Sequence, residues 1–300
     1  MISIIIPTYK RLAALQRCID TILPQAFEGL EVIVIDDCSE DDTADYLRKL
    51  ADRYLFIRII LNEKNHGVNY SRNRGIEMAT GKYIFFLDSD DELIPGGLLK
   101  VKQTLETFPD KKHFLFLVSD REDEFKSLER VKDVAYSSWL NGTTTGDYAH
   151  VLLTSVMKKY LFFEEFRMFE HLNWLRIKKE TDPQLLVPIV VTVRERDRAD
   201  SLTLNSRLQS VSVIRTKFES EKMYYSMYHE DLGRYSPKSL KYQLIYTMAL
   251  GAAVNQKPAS RTLLNYANET HIKVIGSLLM LIPSSLLKYG IIKYSTLKNR

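Results

Sequence analysis

At 300 residues, 45% hydrophobic and 27% charged, the chain is long enough for one large or two modest domains with a real core, and its composition is that of an ordinary globular protein rather than a disordered or fibrous one. Two cysteines, Cys18 and Cys38, exclude a disulfide framework or a cysteine-built zinc site and read as buried free thiols. The net charge of +4 hides an asymmetry: residues 1–200 carry 28 basic and 33 acidic side chains, residues 201–300 carry 14 and 5.

The chain begins directly on an apolar run, residues 2–6, closed by Pro7; no charged and apolar leader precedes it, so a cytoplasmic protein is expected. Leu12, Leu15, Ile19 and Ile22 then recur at helical spacing and stop before Pro24. A second largely apolar run, residues 31–35, is closed by Asp36 and Asp37; runs buried on both faces suit a parallel sheet. Ser39 is the expected N-cap of a second helix, with Asp41 and Asp42 in its first turn and Ala44, Leu47 and Leu50 turned inward. Residues 56–61 read as a third strand, residues 68–79 as a third helix terminated by Gly81, and residues 82–87 as a fourth strand. This alternation predicts a doubly wound α/β fold that binds ligands at the carboxyl ends of its strands.

Polar groups gather at those ends: residues 7–11, Asp36 with Asp37, residues 62–67, and Asp88-Ser89-Asp90-Asp91. Three carboxylates within four residues repel one another, and a hard divalent cation gripping a phosphate would compensate them. Taken alone, each cluster also reads as a turn or a helix cap; their shared placement favours a binding site. Neither a dinucleotide-binding glycine fingerprint nor a P-loop is present, which leaves Asn65, Arg72, Asn73 and Arg74 for a pyrophosphate and Asp90 for a metal.

Beyond residue 200 the pattern becomes helical. The charged stretch 194–200 is the expected boundary, and residues 201–300 the expected helical region. Tyr224, Tyr225, Tyr228, Tyr235, Tyr242 and Tyr246 interleave with lysine and arginine, a pattern that fits packed helices or a membrane interface better than nucleic acid. Residues 274–287 hold no charge and are interrupted by Pro283; Lys288, Lys293, Lys298 and Arg300 follow. That run is short for a membrane span. It fits a peripheral anchor on anionic lipid, or a helix hairpin docked on the catalytic domain or on a second copy in a homo-oligomer.

Four ordered motifs carry a resemblance: Ile4-Ile-Ile-Pro-Thr-Tyr-Lys-Arg11, Val34-Ile-Asp-Asp-Cys-Ser-Glu-Asp-Asp-Thr43, Asn65-His-Gly-Val-Asn-Tyr-Ser-Arg-Asn-Arg-Gly75 and Gly81-Lys-Tyr-Ile-Phe-Phe-Leu-Asp-Ser-Asp-Asp91. Over residues 1–110 the chain resembles the family 2 glycosyltransferases of the GT-A fold, of the bacterial surface-polysaccharide type. The resemblance implies a Rossmann-like, mostly parallel sheet with helices on both faces. It divides a catalytic domain, residues 1–200, into a nucleotide-sugar half and, from residue 111, an acceptor half. It implies a nucleotide-sugar donor, a UDP-sugar, and a glycan or lipid-linked acceptor. Thr8 and Asp36 would line the base and Pro7 and Tyr9 shape its pocket. Arg72 would reach the base or phosphates, and Asp88 the ribose or sugar. Asp90, with Asp88, would hold Mn²⁺ or Mg²⁺, and Arg11, Asn65, Gly67 and Ser89 would complete the donor site. Such enzymes invert the anomeric centre and need one general base; the family's acidic pair before Trp-x-Arg aligns here on Phe169-Glu-His-Leu-Asn-Trp-Leu-Arg176 and places the base at Glu170, with a single acid where two are common and His171 next to it. The alternatives are an inactive glycan-binding protein on the same fold and, further off, a nucleotidyltransferase.

Overall fold

A computed structural model describes residues 1–121, 130–166, 169–194, 210–267 and 269–298. The chain divides into two compact units, one of residues 1–136 and 144–196, the other of residues 137–143 and 197–300. The expected boundary stretch 195–200 and residues 201–203 lie outside the described residues, as do Arg300 and the side chain of Lys298.

The first unit is built on one mixed sheet. Its first four strands, β1 (Ile2–Thr8), β2 (Leu30–Asp36), β3 (Ile57–Leu61) and β4 (Tyr83–Phe86), are parallel in the order β3-β2-β1-β4. Helices α1 (Leu12–Ile22), α2 (Thr43–Arg53) and α3 (Val68–Met78) make the crossovers. Strand β5 (Asp91–Leu93) and helix α4 (Gly97–Thr107) follow, then β6 (His113–Val118), β7 (Lys132–Val134), α5 (Tyr136–Leu140), whose residues 137–140 group with the second unit, and then β8 (Ala149–Leu153), α6 (Thr154–Lys159), α7 (His171–Glu180) and β9 (Gln184–Arg194). In this second part β8 runs antiparallel to β4 and β6, and β5 and β7 antiparallel to β9; among the described residues only β6 and β9 pair in parallel. The expectation of a mostly parallel sheet therefore holds for β1 to β4, and the sheet as a whole is mixed.

Alternate residues of each strand serve opposite faces. Ile4, Ile6, Val32 and Val34 pack with Leu15, Ile19, Leu47, Leu98 and Val101 of α1, α2 and α4. Ile5, Ile33 and Ile35 pack with Ile76, Val156, Met157 and Ile177 of α3, α6 and α7. Gly75 lets α3 lie close to the sheet: a Cβ there would fall 2.6 Å from Ile5 Cγ2 and 2.9 Å from Ile35 Cδ1.

Two local expectations are corrected. Ser39 does not cap α2, which starts at Thr43; Asp41 accepts the Thr43 N–H at 3.1 Å instead, and Ser39 bonds to Asp36. Gly81 does not terminate α3, which ends at Met78; a side chain at Gly81 would fall 2.7 Å from Ser3 Oγ and 2.8 Å from Ser3 N, beneath β1. Of the thiols, Cys18 is buried and Cys38 partly exposed.

The described part of the second unit beyond residue 210 is helical: α8 (Val211–Tyr235), α9 (Pro237–Ala253), α10 (Lys257–Thr262), α11 (Thr270–Leu279) and α12 (Ser284–Lys298). Helix α9 packs against the other four. Tyr224, Tyr225 and Tyr228 are buried, with Tyr225 stacked on Tyr266, so half of the tyrosine series belongs to the helical core. Among the described residues no single helix is long and apolar enough to cross a membrane; α11 and α12 together have that length and composition but are bent by 106°.

Candidate active site

The polar strand ends of the first unit meet as expected at the carboxyl edge of the parallel strands. Thr8 and Asp36 are register partners at the ends of β1 and β2. Thr8 is buried, and its hydroxyl has no hydrogen-bond partner. Immediately beyond, Lys10 (φ 50°) and Cys38 (φ 65°) sit in the left-handed region that non-glycine residues rarely enter, a form of strain that clusters at functional loops. The Lys10 N–H donates to Ser39 Oγ at 2.7 Å and the Asp37 N–H to Thr8 O at 2.9 Å, tying the two loops together. Burial raises the pKa of the Asp36 carboxyl, a shift opposed by Ser39 and reinforced by Asp41 and Asp37. Pro7 is buried in β1, while Tyr9 is exposed beside it.

Asp37 organises the third polar end. Its Oδ1 accepts from Asn62 Nδ2 and the His66 N–H, both at 2.9 Å, and its Oδ2 from the Gly67 N–H at 2.6 Å. Gly67 has φ 93°, a conformation open to glycine, and leads into α3. Asn65 is exposed, with Nδ2 3.4 Å from Asp37 O. Asp37 was visible in the sequence only as the second of a pair, and nothing there distinguished the loop-holding carboxylate from its neighbour.

At the centre lies a bridge. Arg72 of α3 is buried; its Nη2 donates to Asp88 Oδ1 at 2.9 Å and its Nη1 to Glu170 Oε1 at 2.7 Å. The cation is stacked 5.7 Å from the Phe162 ring centre. Asn73, one residue on, is committed elsewhere: its amide donates to Phe162 O at 2.9 Å and accepts the Phe162 N–H at 2.8 Å, so its expected service to a pyrophosphate is replaced by a structural one. Arg74 is exposed, and two residues of helix turn it away from Arg72.

The acidic cluster divides by partner. The Asp88 side chain is half exposed; its position opposes ionisation, but Arg72, Arg194 and Arg11 hold the carboxyl below its ordinary pKa. Asp90 is ion-paired with Arg11 at 2.9 Å. Asp91 is mostly buried, and burial, with repulsion from Asp88 and Asp90, pushes it up to about 8 despite Arg194 at 3.8 Å. Ser89 is buried. Arg194 also reaches Asp147 at 3.2 Å; in the sequence it only opened a charged stretch, and its return to the acidic cluster depends on β9 pairing with β5.

Glu170 is the residue before α7, whose first residue is His171. Helix α7 is fixed by aromatics: Trp174 stacks on His150 at 4.0 Å and meets the edges of Phe162 and Phe86. Arg176 lies 4.1 Å from the Phe163 ring centre. The Trp-x-Arg segment thus aims Glu170 at Arg72. Among the described residues, Glu170 Oε2 and Asp88 Oδ2 have no hydrogen-bond partner. Each residue keeps one carboxylate oxygen open.

Among the described residues no three His, Cys, Asp or Glu side chains are arranged around a metal ion. Asp88 and Asp90 offer hard oxygen donors from one strand end, with Asp88 Oδ2 open. That partial set suits a cation whose remaining ligands are substrate phosphates and water, as Mg²⁺ commonly keeps.

Residues 3–149 match the family described as Glycosyl transferase family 2. A GalNAc(5)-diNAcBac-PP-undecaprenol beta-1,3-glucosyltransferase of Campylobacter jejuni is 29% identical over 211 residues, 68% of each chain. An uncharacterised glycosyltransferase of Haemophilus influenzae is 28% identical over 250 residues, 82% of this chain and 94% of that one. In fold, the chain is similar to Staphylococcus aureus TarS in complex with UDP, with a TM-score of 0.62 at 15% identity over 100% of this chain and 92% of that one. It is also similar to a mannosyltransferase of Pyrobaculum calidifontis in complex with GDP-Man and Mn²⁺, with a TM-score of 0.58 at 17% identity over 99% and 86% of the two chains.

Proposed function

We propose that the chain, whose residues 3–149 match the family 2 glycosyltransferases, is a glycosyltransferase of bacterial polysaccharide and glycoconjugate synthesis that transfers a sugar from UDP to a hydroxyl of a lipid-linked glycan, with inversion, at the cytoplasmic face of the membrane. The observation that carries this reading is the Asp88–Arg72–Glu170 bridge, in which one buried guanidinium spans the donor-side carboxylate and the candidate base at 2.9 and 2.7 Å. Thr8, Asp36, Pro7 and Tyr9 surround the base of the nucleotide; Thr8's unpartnered hydroxyl supplies a ready hydrogen bond. Arg11, Asn65, Gly67, Arg72 and Ser89 line the diphosphate and ribose. The UDP carried by TarS and the undecaprenol-linked substrate named for the Campylobacter relative support donor and acceptor.

In the reaction the acceptor oxygen forms a bond to the anomeric carbon from the face opposite the diphosphate. The bond from that carbon to the phosphate oxygen breaks, and UDP leaves with the electron pair. Glu170 Oε2 takes the hydroxyl proton as the new bond forms. Arg72 fixes the other oxygen of Glu170, so the base is oriented before the acceptor arrives. Asp88 and Asp90 would hold Mg²⁺ or Mn²⁺, which when bound supplies positive charge for the departing diphosphate.

Replacing Glu170 with Gln preserves size and removes the base. Turnover is expected to fall by 10²–10⁴-fold while UDP still binds, read by product formation and by UDP-induced thermal stabilisation. A variant that keeps full activity refutes the assignment, and wild-type protein that binds UDP but turns over no donor favours the inactive glycan-binding reading.

A further inference from the structure

Helices α11 and α12 present an apolar surface that the rest of their unit leaves uncovered. On α11, Ile272 and Gly276 face inward, where a Cβ at Gly276 would fall 2.6 Å from Met248 Cε of α9. The opposite side exposes Val274, Ile275 and Leu278. The break continues the patch with Leu281, 76% exposed, and α12 adds Leu286 and Tyr289. Lys257 Nζ donates to Ile282 O at 3.1 Å and holds the break in place.

Charge and length select the occupant. Residues 270–300 contain no Asp or Glu, and Lys273, Lys288 and Lys293 border the apolar residues. A second copy packed face to face would oppose lysines with lysines and bring no acid to neutralise them. Ten residues of α11 span only about 15 Å, half the hydrocarbon thickness of a bilayer, and the 106° bend prevents α11 and α12 from forming one straight span. Apolar side chains on a bent helix pair, rimmed by lysine, match the boundary between headgroups and acyl chains of an anionic bilayer.

We infer that α11, the break and α12 form a wedge that seats the protein in the headgroup region of anionic lipid without crossing it. The wedge deepens the lipid-linked acceptor reading, since it would hold the enzyme on the surface where such an acceptor lies; vesicle binding, however, requires neither donor nor acceptor and is tested separately.

The full-length protein is sedimented with vesicles of phosphatidylcholine alone and of phosphatidylcholine with phosphatidylglycerol. Binding to the anionic vesicles, weakened by salt, is expected, with hydrogen exchange slowed across residues 274–289. Leu278→Asp combined with Leu281→Asp should lower the bound fraction about tenfold or more. Lys288→Glu combined with Lys293→Glu should abolish the preference for anionic vesicles. Leu278, Leu281 and Lys293 are exposed and Lys288 partly so, and UDP-induced thermal stabilisation of each variant reports that the first unit is intact. Absent binding, equal binding to neutral vesicles, or variants that bind like the wild type overturns the wedge. So does a concentration-dependent dimer seen by light scattering that both pairs of substitutions dissociate. Vesicle binding by a wild type that ignores UDP would instead refute the donor assignment and leave the wedge standing.

Discussion

Arg72 shows why the kind of cation matters at a single position. Its planar fork directs Nη1 and Nη2 at different carboxylates, and a lysine, with one compact ammonium, cannot hold both in that geometry. Arg72→Lys is expected to cost about 1–3 kcal/mol of stability and to lower turnover about 100-fold through misplacement of Glu170, read by urea unfolding and steady-state kinetics; a variant with wild-type kinetics would show that the bridge is not needed. A second buried polar group contributes to the pH dependence of stability. His113 is fully buried, its Nε2 2.9 Å from His150 Nδ1 and its Nδ1 3.1 Å from Thr181 Oγ1, and burial lowers its pKa to about 3. The unfolded chain therefore takes up a proton near pH 6.5 that the fold refuses until about 3, so stability falls as pH drops through this window. Between pH 7 and 5 the loss from His113 alone is about 2 kcal/mol. His113→Phe should flatten that dependence by a similar amount while lowering stability at pH 7, measured as urea midpoints at the two pH values. An unchanged slope would remove His113 as its cause.

Helix α3 positions the site only because it lies close to the sheet. Gly75 is one turn beyond Arg72, and Gly75→Ala forces a methyl against Ile5 and Ile35, at an expected cost of about 1–3 kcal/mol. The displacement carries Arg72 with it, so activity should fall along with stability. Ile35→Val removes the Cδ1 atom that the methyl meets and should restore part of both losses, as thermal melts and turnover of the double variant will report. At this scale the sequence was most readable where periodicity decides structure: β1 to β4, α1 and α3 lie within a residue or two of their expected bounds. It was least readable where a polar side chain had several possible partners. Ser39 had the composition of a cap, yet Asp36 and the Lys10 N–H compete for it across the strand ends. Gly81 followed a helix and resembled its terminator, whereas its real constraint is Ser3, distant in sequence. Asn73 looked like a phosphate ligand until the chain at Phe162 folded onto it.

For the whole molecule, ligand linkage tests the proposed donor without knowledge of the acceptor. A nucleotide that binds only the folded state at 100 times its Kd adds about 2.7 kcal/mol of stability. UDP with Mn²⁺ is expected to raise the thermal midpoint, GDP to raise it less, and chelation to reduce the UDP effect; equal shifts with and without the metal would remove Asp88 and Asp90 as its ligands. The parallel half of the sheet was legible because each crossover is local. The antiparallel half was not, since β8 inserts between β4 and β6 and β9 returns beside β5 through pairings that no local pattern encodes. The unit boundary is likewise not a single cut in sequence: residues 137–143 group with the helices that follow residue 197. This has a consequence for birth at the ribosome. Chain grows at about 5–20 residues per second, so the segment 137–143 emerges on the order of ten seconds before all of its helical partners exist. Late in that interval, once residue 194 has been made, the sheet on either side has its full sequence, while the short segment between its parts still waits for the carboxyl-terminal helices to be made.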